Sequence, residues 1–462
     1  MENLLLEIGT EEIPAGYIAP ALDALRSSLL RKLTDARIEH GNARVYGTPR
    51  RLTVTVERVA ARQRSVRNEV VGPPAAVGFD ENGRPATAAI KFAQKVGVDV
   101  KQLGVKNTAR GSYLYVEKVE KGMATRRLLR DILPQVILST PFPKKMRWAD
   151  LDLEFARPIH SIVVLLGKSC IGFHLGNVKS GRHTRGHSFM SPAKIKLAHA
   201  DDYLESLHSH QVIADIDKRR KMLEDEIDGV AKKLGGRILP DADLVDIVTN
   251  LVEYPLAVAG RFDESFLEVP DEVLINAMRE HQKYFSVVDG TGKLMPCFIA
   301  VNNTKARDMG MVAVGHERVL RARLADARFF YQGDLKVTND QRIEKLKGVL
   351  FQADLGTMYE KSERVAQMAQ LLAAAVDPVP GTDAAELKKQ VARAARLSKS
   401  DLVSQVVGEF PKLQGVMGRI YAVVAGEPPA VAAAVHAFDG SWPTRLPMRD
   451  SPPGKALRRG RG

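Results

Sequence analysis

The stretch Arg279-Glu280-His281-Gln282-Lys283-Tyr284-Phe285, followed by Val287-Val288-Asp289-Gly290-Thr291-Gly292 and an apolar run ending in Asn302-Asn303-Thr304, decides how this chain is read. Within seven residues it packs one acid, three groups able to carry positive charge, an amide and two aromatics. The Asp-Gly signal predicts a hairpin directly after it, so these polar groups are expected on rigid scaffold. A strand here would send His281 and Lys283 to one face and leave Tyr284 in the core.

Outward from this stretch, the pattern predicts an α+β multidomain chain: mixed α and β structure first, then helix only. Leu4 to Ile8 reads as a buried strand, Pro20 to Ile38 as an amphipathic helix, and Leu52 to Val59 and Tyr113 to Val119 as strands, with a Gly/Pro-rich loop at Gly72 to Pro85. The apolar runs Ser161 to Leu166 and Cys170 to Leu175 read as paired strands joined at Gly167-Lys168. Asp215 to Leu234 and Asp243 to Val252 have helical periodicity, the second with Asp243 at a plausible N-cap. From Asp308 onward every segment reads as helix, with loops at Gly333-Asp334, Asp377 to Thr382 and Gly426 to Pro429. The expected boundary falls near residue 335.

At 462 residues the chain exceeds what one core supports, so several domains are expected. Cys170 and Cys297 are too few for a disulfide framework or a thiolate zinc site, which points to a reducing cytoplasm. No apolar run approaches a membrane span, and the acidic start Met1-Glu2-Asn3 does not read as a signal peptide. The net charge is +13; residues 445 to 462 supply +5 of it, and seven Arg against two Glu between Arg44 and Glu69 give another +5. A basic balance favours a polyanion partner without choosing RNA over DNA or an anionic membrane, and a solvated charged face is the competing reading.

Eight blocks carry a resemblance: LLLEIGTEEIPAGY (4 to 17), YGTPRRL (46 to 52), FPKKMRW (142 to 148), FARPIHSIVVLL (155 to 166), GRHTRGHSF (181 to 189), REHQKYF (279 to 285), FQADLGTMYEK (351 to 361) and LSKSDLVSQVVGEFPKLQGVMGR (397 to 419). In this order, from residue 3 to about residue 435, the chain resembles the β subunit of the bacterial tetrameric glycyl-tRNA synthetase. The resemblance implies an α subunit that forms glycyl-adenylate from glycine and ATP with Mg, and a β subunit that binds tRNA(Gly) and assembles an α2β2 heterotetramer in the cytoplasm. No cofactor or metal of its own is implied for this chain, and no residue in it is expected to be catalytic. The motif-2 arginine hairpin and motif-3 strand-to-helix segment of class II synthetases are not found in the sequence.

Candidate tRNA contacts follow by chemistry. Lys144, Lys145 and Arg147 join three cations to Trp148, which either stacks on an unpaired base or packs against the domain. Arg182, His183, Arg185 and His187 lie in a run with Lys179 and no acid, which suits phosphate or ribose contacts; a surface loop is the plain alternative, and the i, i+4 histidines also have metal-ligand spacing, although Gly181 and Gly186 argue against a helix. Arg279, His281 and Lys283 complete the set, with Tyr284 beside them. Arg318, Arg321 and Arg328 lie near one stripe of a helix that Asp326 interrupts, as consistent with internal salt bridges as with an RNA track.

Two further segments resemble catalytic devices, the first read as a decoy and the second as a catalytically dead helical scaffold. Arg396-Leu397-Ser398-Lys399-Ser400 resembles the lysine loop of class I synthetases, yet Lys399 sits in a helical pattern. The C-terminal helices resemble the family's HD-like domain, but Asp401 follows Ser400 instead of a histidine and His436 is the only histidine after His316, so a His-Asp metal site is not expected. Residues 1 to 335 are thus read as a mixed α/β tRNA-binding and assembly region, 336 to 436 as a helical HD-like domain, and 437 to 462 as a disordered basic tail on a truncated product that leaves the apolar face of Val423 to Val435 exposed. The alternative function is a non-catalytic RNA-binding or scaffold protein.

Overall fold

The structure, a computed structural model, describes residues 1–80, 83–108, 111–375 and 383–439. The expected loop at Asp377 to Thr382 and all but the first residues of the expected tail lie outside them. The chain divides into two compact units, Met1–Lys221 with Thr249–Tyr254, and Met222–Val248 with Pro255–Gly462. The boundary expected near residue 335 falls inside the second unit, where the helix Met309–Leu335 ends.

In the first unit the strands are β1 (Glu2–Thr10), β2 (Ala43–Thr48), β3 (Arg51–Val59), β4 (Val66–Pro74), β5 (Gly104–Thr108), β6 (Gly111–Glu120), β7 (Ile159–Leu166), β8 (Ser169–Cys170), β9 (His174–Leu175), β10 (Val178–Gly181), β11 (His183–Arg185) and β12 (Lys194–Lys196). The main sheet runs β2-β3-β1-β7-β10-β9, with β8 on β7. The continuous apolar run Leu4-Leu5-Leu6 makes β1 a central strand buried on both faces. Leu4, Leu6 and Ile8 pack with Leu22, Leu25 and Leu29 of the helix Ala15–Asp35 and with Leu133 of the helix Thr125–Leu138. Leu5 points the other way, into a second cluster with Val163, Ile195, Leu197 and Tyr203. Each such fully buried aliphatic side chain contributes about 1.5–3 kcal/mol.

Three expectations are corrected here. Cys170 to Leu175 is not one strand: β8 pairs with β7 for two residues, and His174–Leu175 pairs with β10. Gly72 to Pro85 is not all loop, because Gly72 and Pro74 belong to β4, and a helix, Thr87–Val96, covers the small sheet β4-β6-β5. The N-terminal helix begins at Ala15, with Pro20 inside it.

In the second unit, β13 (Arg237–Ile238), β14 (Leu256–Arg261), β15 (Phe285–Val288) and β16 (Leu294–Asn302) form a sheet in the order β13-β15-β16-β14. The Asp289-Gly290-Thr291-Gly292 turn closes the β15–β16 hairpin as its sequence predicts, with the Asp289 carboxylate accepting from Thr291 and Lys293 backbone nitrogens. The helix Ala242–Thr249 is capped by Asp241, whose carboxylate accepts from Leu244 N at 2.9 Å, instead of by Asp243. Among the described residues the C-terminal region is helical except for one hairpin, β17 (Leu350–Gln352) with β18 (Gly356–Thr357), formed by the Phe351-Gln352-Ala353-Asp354-Leu355-Gly356 segment. The helix Pro429–Asp439 buries Val431 and Val435 against Ile343 and Leu397, so the large apolar side chains exposed between Val423 and Val435 are Val423 and Val424.

Candidate nucleic-acid interface

Three of the eight sequence blocks, those holding Glu7, Arg51 and Thr184, meet in one buried network on the Leu5 side of the main sheet. Because side chains alternate across β1, Glu7 points to the same side as Leu5. Arg51 of β3 lies 2.9 Å from Glu253 and 3.9 Å from Glu7. Thr48 donates to Glu253 at 2.7 Å, and Thr184 of β11 donates to Glu7 at 2.8 Å. Arg219 donates to the carbonyls of Thr249 and Ile213. Burial alone would lower the pKa of Arg51, but Glu253 and Glu7 overcome it and hold the guanidinium above its ordinary range. Burial pulls Arg219 down to about 10. For Glu253, burial would favour the neutral acid, yet the Arg51 charge, the Thr48 hydroxyl and His187 hold the carboxyl below its usual value. This network is buried, and it holds the β11 strand through the Thr184 hydroxyl and the Arg185 carbonyl.

What it seats is a two-stranded ribbon. In β11 and β12, His183 pairs with Lys196, Thr184 with Ile195 and Arg185 with Lys194. Thr184 and Ile195 face inward, to Glu7 and the Leu5 cluster. Period-2 alternation then sends His183, Arg185, Lys194 and Lys196 outward together, and all four are exposed. None of the four enters an ion pair among the described residues. The turn between the strands needs Gly186, since a Cβ there would lie 2.3 Å from the Ser191 carbonyl. His187, fully buried, fixes that turn: its Nδ1 accepts from Phe189 N and Met190 N. Phe189 stands 74% exposed at the tip.

The candidate residues therefore separate. His183 and Arg185 are displayed; Arg182 is turned back to the carbonyls of Leu197 and Lys168, and His187 is internal. The two histidines lie on a strand and a turn with opposite burial, so a shared helix face does not arise, and among the described residues no cluster of three His, Cys, Asp or Glu side chains could hold a metal ion. Lys194 and Lys196 were missed from the sequence. Their signal was the alternation Lys-Ile-Lys opposite His-Thr-Arg, legible only once the two segments are paired. Lys144 and Lys145 are exposed, Arg147 pairs with Glu154 at 3.0 Å, and Trp148 packs half-buried on the main core.

In the second unit, Arg279-Glu280-His281-Gln282 is not a strand but part of a π-helical turn, Met278–Gln282, closed by Lys283 in the left-handed region at φ +57°. Arg279 is held by Asp241 and Glu280, Glu280 also receives Lys412 at 2.8 Å, and the Lys283 ammonium donates to the Glu280 carbonyl at 2.9 Å. The Tyr284 hydroxyl meets His316 Nδ1 at 2.8 Å while its ring stacks on Phe298; burial raises the phenol to about 12 and lowers the His316 pKa. Of the stretch from Arg279 to Phe285 only His281 is exposed, edge-on to Phe410. On the helix Met309–Leu335, Arg318 and Arg321 are exposed, whereas Arg328 lies over the Phe266 ring and near Glu268. Asp401, where a His-Asp site would place a metal ligand, caps the helix Val416–Val424 by accepting from Gly415 N and Gly418 N at 2.6 and 2.9 Å.

Comparison with known proteins places the chain in one family. A family model described as glycyl-tRNA synthetase beta subunit matches residues 4–442. The chain is 52% identical over 435 residues to a protein named glycine–tRNA ligase beta subunit from Desulforapulum autotrophicum, and 52% identical to the protein of the same name from Desulfatibacillum aliphaticivorans. A third, from Citrifermentans bemidjiense, is 48% identical over 434 residues. Each alignment covers 94% of this chain and 62% of the relative, so the chain spans less than two thirds of the length of these curated relatives.

Proposed function

The chain belongs to the glycyl-tRNA synthetase beta subunit family, and on that premise we propose that it supports the ATP-dependent attachment of glycine to tRNA(Gly) in the cytoplasm as the tRNA-binding, assembly-forming member of a complex. Its partner is a separate α subunit, in an α2β2 arrangement, and that subunit binds ATP with Mg and forms the glycyl-adenylate. The observation that carries the RNA-binding part is the outward face of the β11–β12 ribbon: His183, Arg185, Lys194 and Lys196, displayed together on a rigid sheet without an acid paired to them among the described residues. Such a face suits phosphates, which position an RNA without reading its sequence. Lys144, Lys145, Arg147 and His281 are the other exposed candidates, with Arg147 paired to Glu154, while Arg182, His187, Arg279 and Lys283 hold protein groups.

The division of labour is tested by glycine-dependent ATP–pyrophosphate exchange. The chain alone is expected to give none, and exchange is expected when the α subunit is added. Robust exchange by the isolated chain would overturn the assignment of the chemistry to the partner. Charging of tRNA that is as fast without this chain as with it would overturn the supporting role.

A further inference from the structure

Between β3 and the helix Thr125–Leu138 the chain makes a basic excursion. Residues 61 to 124 hold eleven Lys and Arg against six Asp and Glu, a net +5. Its three-stranded sheet, β4-β6-β5, is covered on one face by the helix Thr87–Val96, where Leu114 and Val116 of the central strand pack with Ala89, Phe92 and Val96. Alternation along β6 therefore turns Tyr113, Tyr115, Glu117 and Val119 to the other face. That face is in part open to solvent: Val71, paired with Tyr115, and Val119 are each 51% exposed, and Tyr113 and Tyr115 are half-buried.

The two tyrosines sit at i and i+2 on the middle strand. Tyr113 lies opposite Pro74 on one side and Lys106 on the other, and Tyr115 opposite Val71 and Gly104. Gly104 makes room for the Tyr115 ring, since a Cβ there would come within 2.5 Å of it. The ring thus lies against the β5 backbone at Gly104, beside a cavity of about 310 Å³ lined by Gln102, Leu103, Gly104, Tyr115, Val116 and Glu117. Lys106 reaches across the sheet to Glu69, and Arg67 is exposed opposite Val119. Neither phenol has a hydrogen-bond or ring partner among the described residues.

We infer that this sheet face is a stacking platform for unpaired RNA, with Tyr113 and Tyr115 taking successive bases and the basic excursion holding the backbone. Aromatic side chains on an open sheet face stack on splayed bases, whose π-faces a paired duplex hides, and the +5 charge selects a polyanion over a neutral protein surface. The inference deepens the RNA-binding reading above and rests on it.

The test titrates the full chain with a short fluorescein-labelled oligouridylate and, separately, with folded tRNA. Tyr113→Ala and Tyr115→Ala are each expected to weaken oligouridylate binding about ten-fold, from the loss of one stacked base, with the salt slope unchanged because no charge is removed. Tyr113→Phe and Tyr115→Phe keep the ring and should bind as the parent does. Circular dichroism on the alanine variants excludes unfolding as the cause. Oligouridylate binding that is insensitive to both alanine substitutions, or equally weakened by the phenylalanine ones, overturns the platform. A chain that binds tRNA but not oligouridylate also overturns it, leaving the RNA-binding reading intact, whereas a chain that binds neither RNA overturns both.

Discussion

Replacing Glu253 with alanine is expected to destabilise the first unit by about 3–5 kcal/mol, because breaking a buried ion pair leaves the remaining charge without compensation. Glu253 is 1% exposed and is the carboxylate nearest Arg51; with it gone, Arg51 keeps Glu7 at 3.9 Å and the Arg185 carbonyl at 2.9 Å, and the Thr48 hydroxyl loses its acceptor. Urea denaturation followed by Trp148 fluorescence, on a Trp442→Phe background, reads this unit. The pH dependence has a defined sign. The folded carboxyl lies below its ordinary value of 4.5, so the charge-dependent stability is complete above that pH and is lost as pH falls through the folded value. The gap between parent and variant should therefore narrow on acidification. A loss under about 1 kcal/mol, within reach of an ordinary surface substitution, would mean that the network does not seat the ribbon.

Asp334→Ala is expected to cost the second unit about as much, roughly 3–5 kcal/mol, from buried donors left without an acceptor at about 1–3 kcal/mol each and less than additively. Its carboxylate, 3% exposed, accepts from Gln405 N at 2.9 Å, Val406 N at 3.0 Å and the Tyr421 hydroxyl at 2.7 Å. Burial, reinforced by the Asp334 charge, pushes the Tyr421 phenol far up, so it stays a donor across the whole working range. Arg342 lies over the same ring at 4.0 Å and donates to the Asp334 carbonyl. Asp334→Asn, which keeps one acceptor oxygen, should cost less. Loss of helical circular dichroism in urea provides the readout, and equal stability of the alanine variant would contradict this account of how the helices are joined.

What the sequence revealed and what it hid divide along one physical line. Local pattern exposed β1, the β15–β16 hairpin and the helices from Met309 onward, because apolar runs, Asp-Gly turns and 3.6-residue periods are written within a few residues. It failed where partners lie far apart. Arg51 and Glu253 are 202 residues apart, so nothing near Arg50-Arg51 showed that one arginine is buried. Arg279-Glu280-His281-Gln282-Lys283 looked like a display of charge because Asp241 and Lys412 are 38 and 132 residues away. The β4-β6-β5 excursion was half hidden because Gly72 and Pro74, read as loop residues, continue a strand whose Gly72 lies against the Phe92 ring.

The salt dependence of tRNA(Gly) binding addresses the central claim, that this chain meets RNA through a displayed basic ribbon. Plotted as log affinity against log salt, the parent should fall steeply, and the combined variant Arg185→Ala, Lys194→Ala and Lys196→Ala should fall less steeply by about 0.9 for each phosphate that no longer meets a cation. The three side chains point outward, so folding should be unaffected, which circular dichroism checks. Parallel lines for parent and variant, with equal affinity at every salt concentration, would contradict the claim and make the ribbon an ordinary solvated surface.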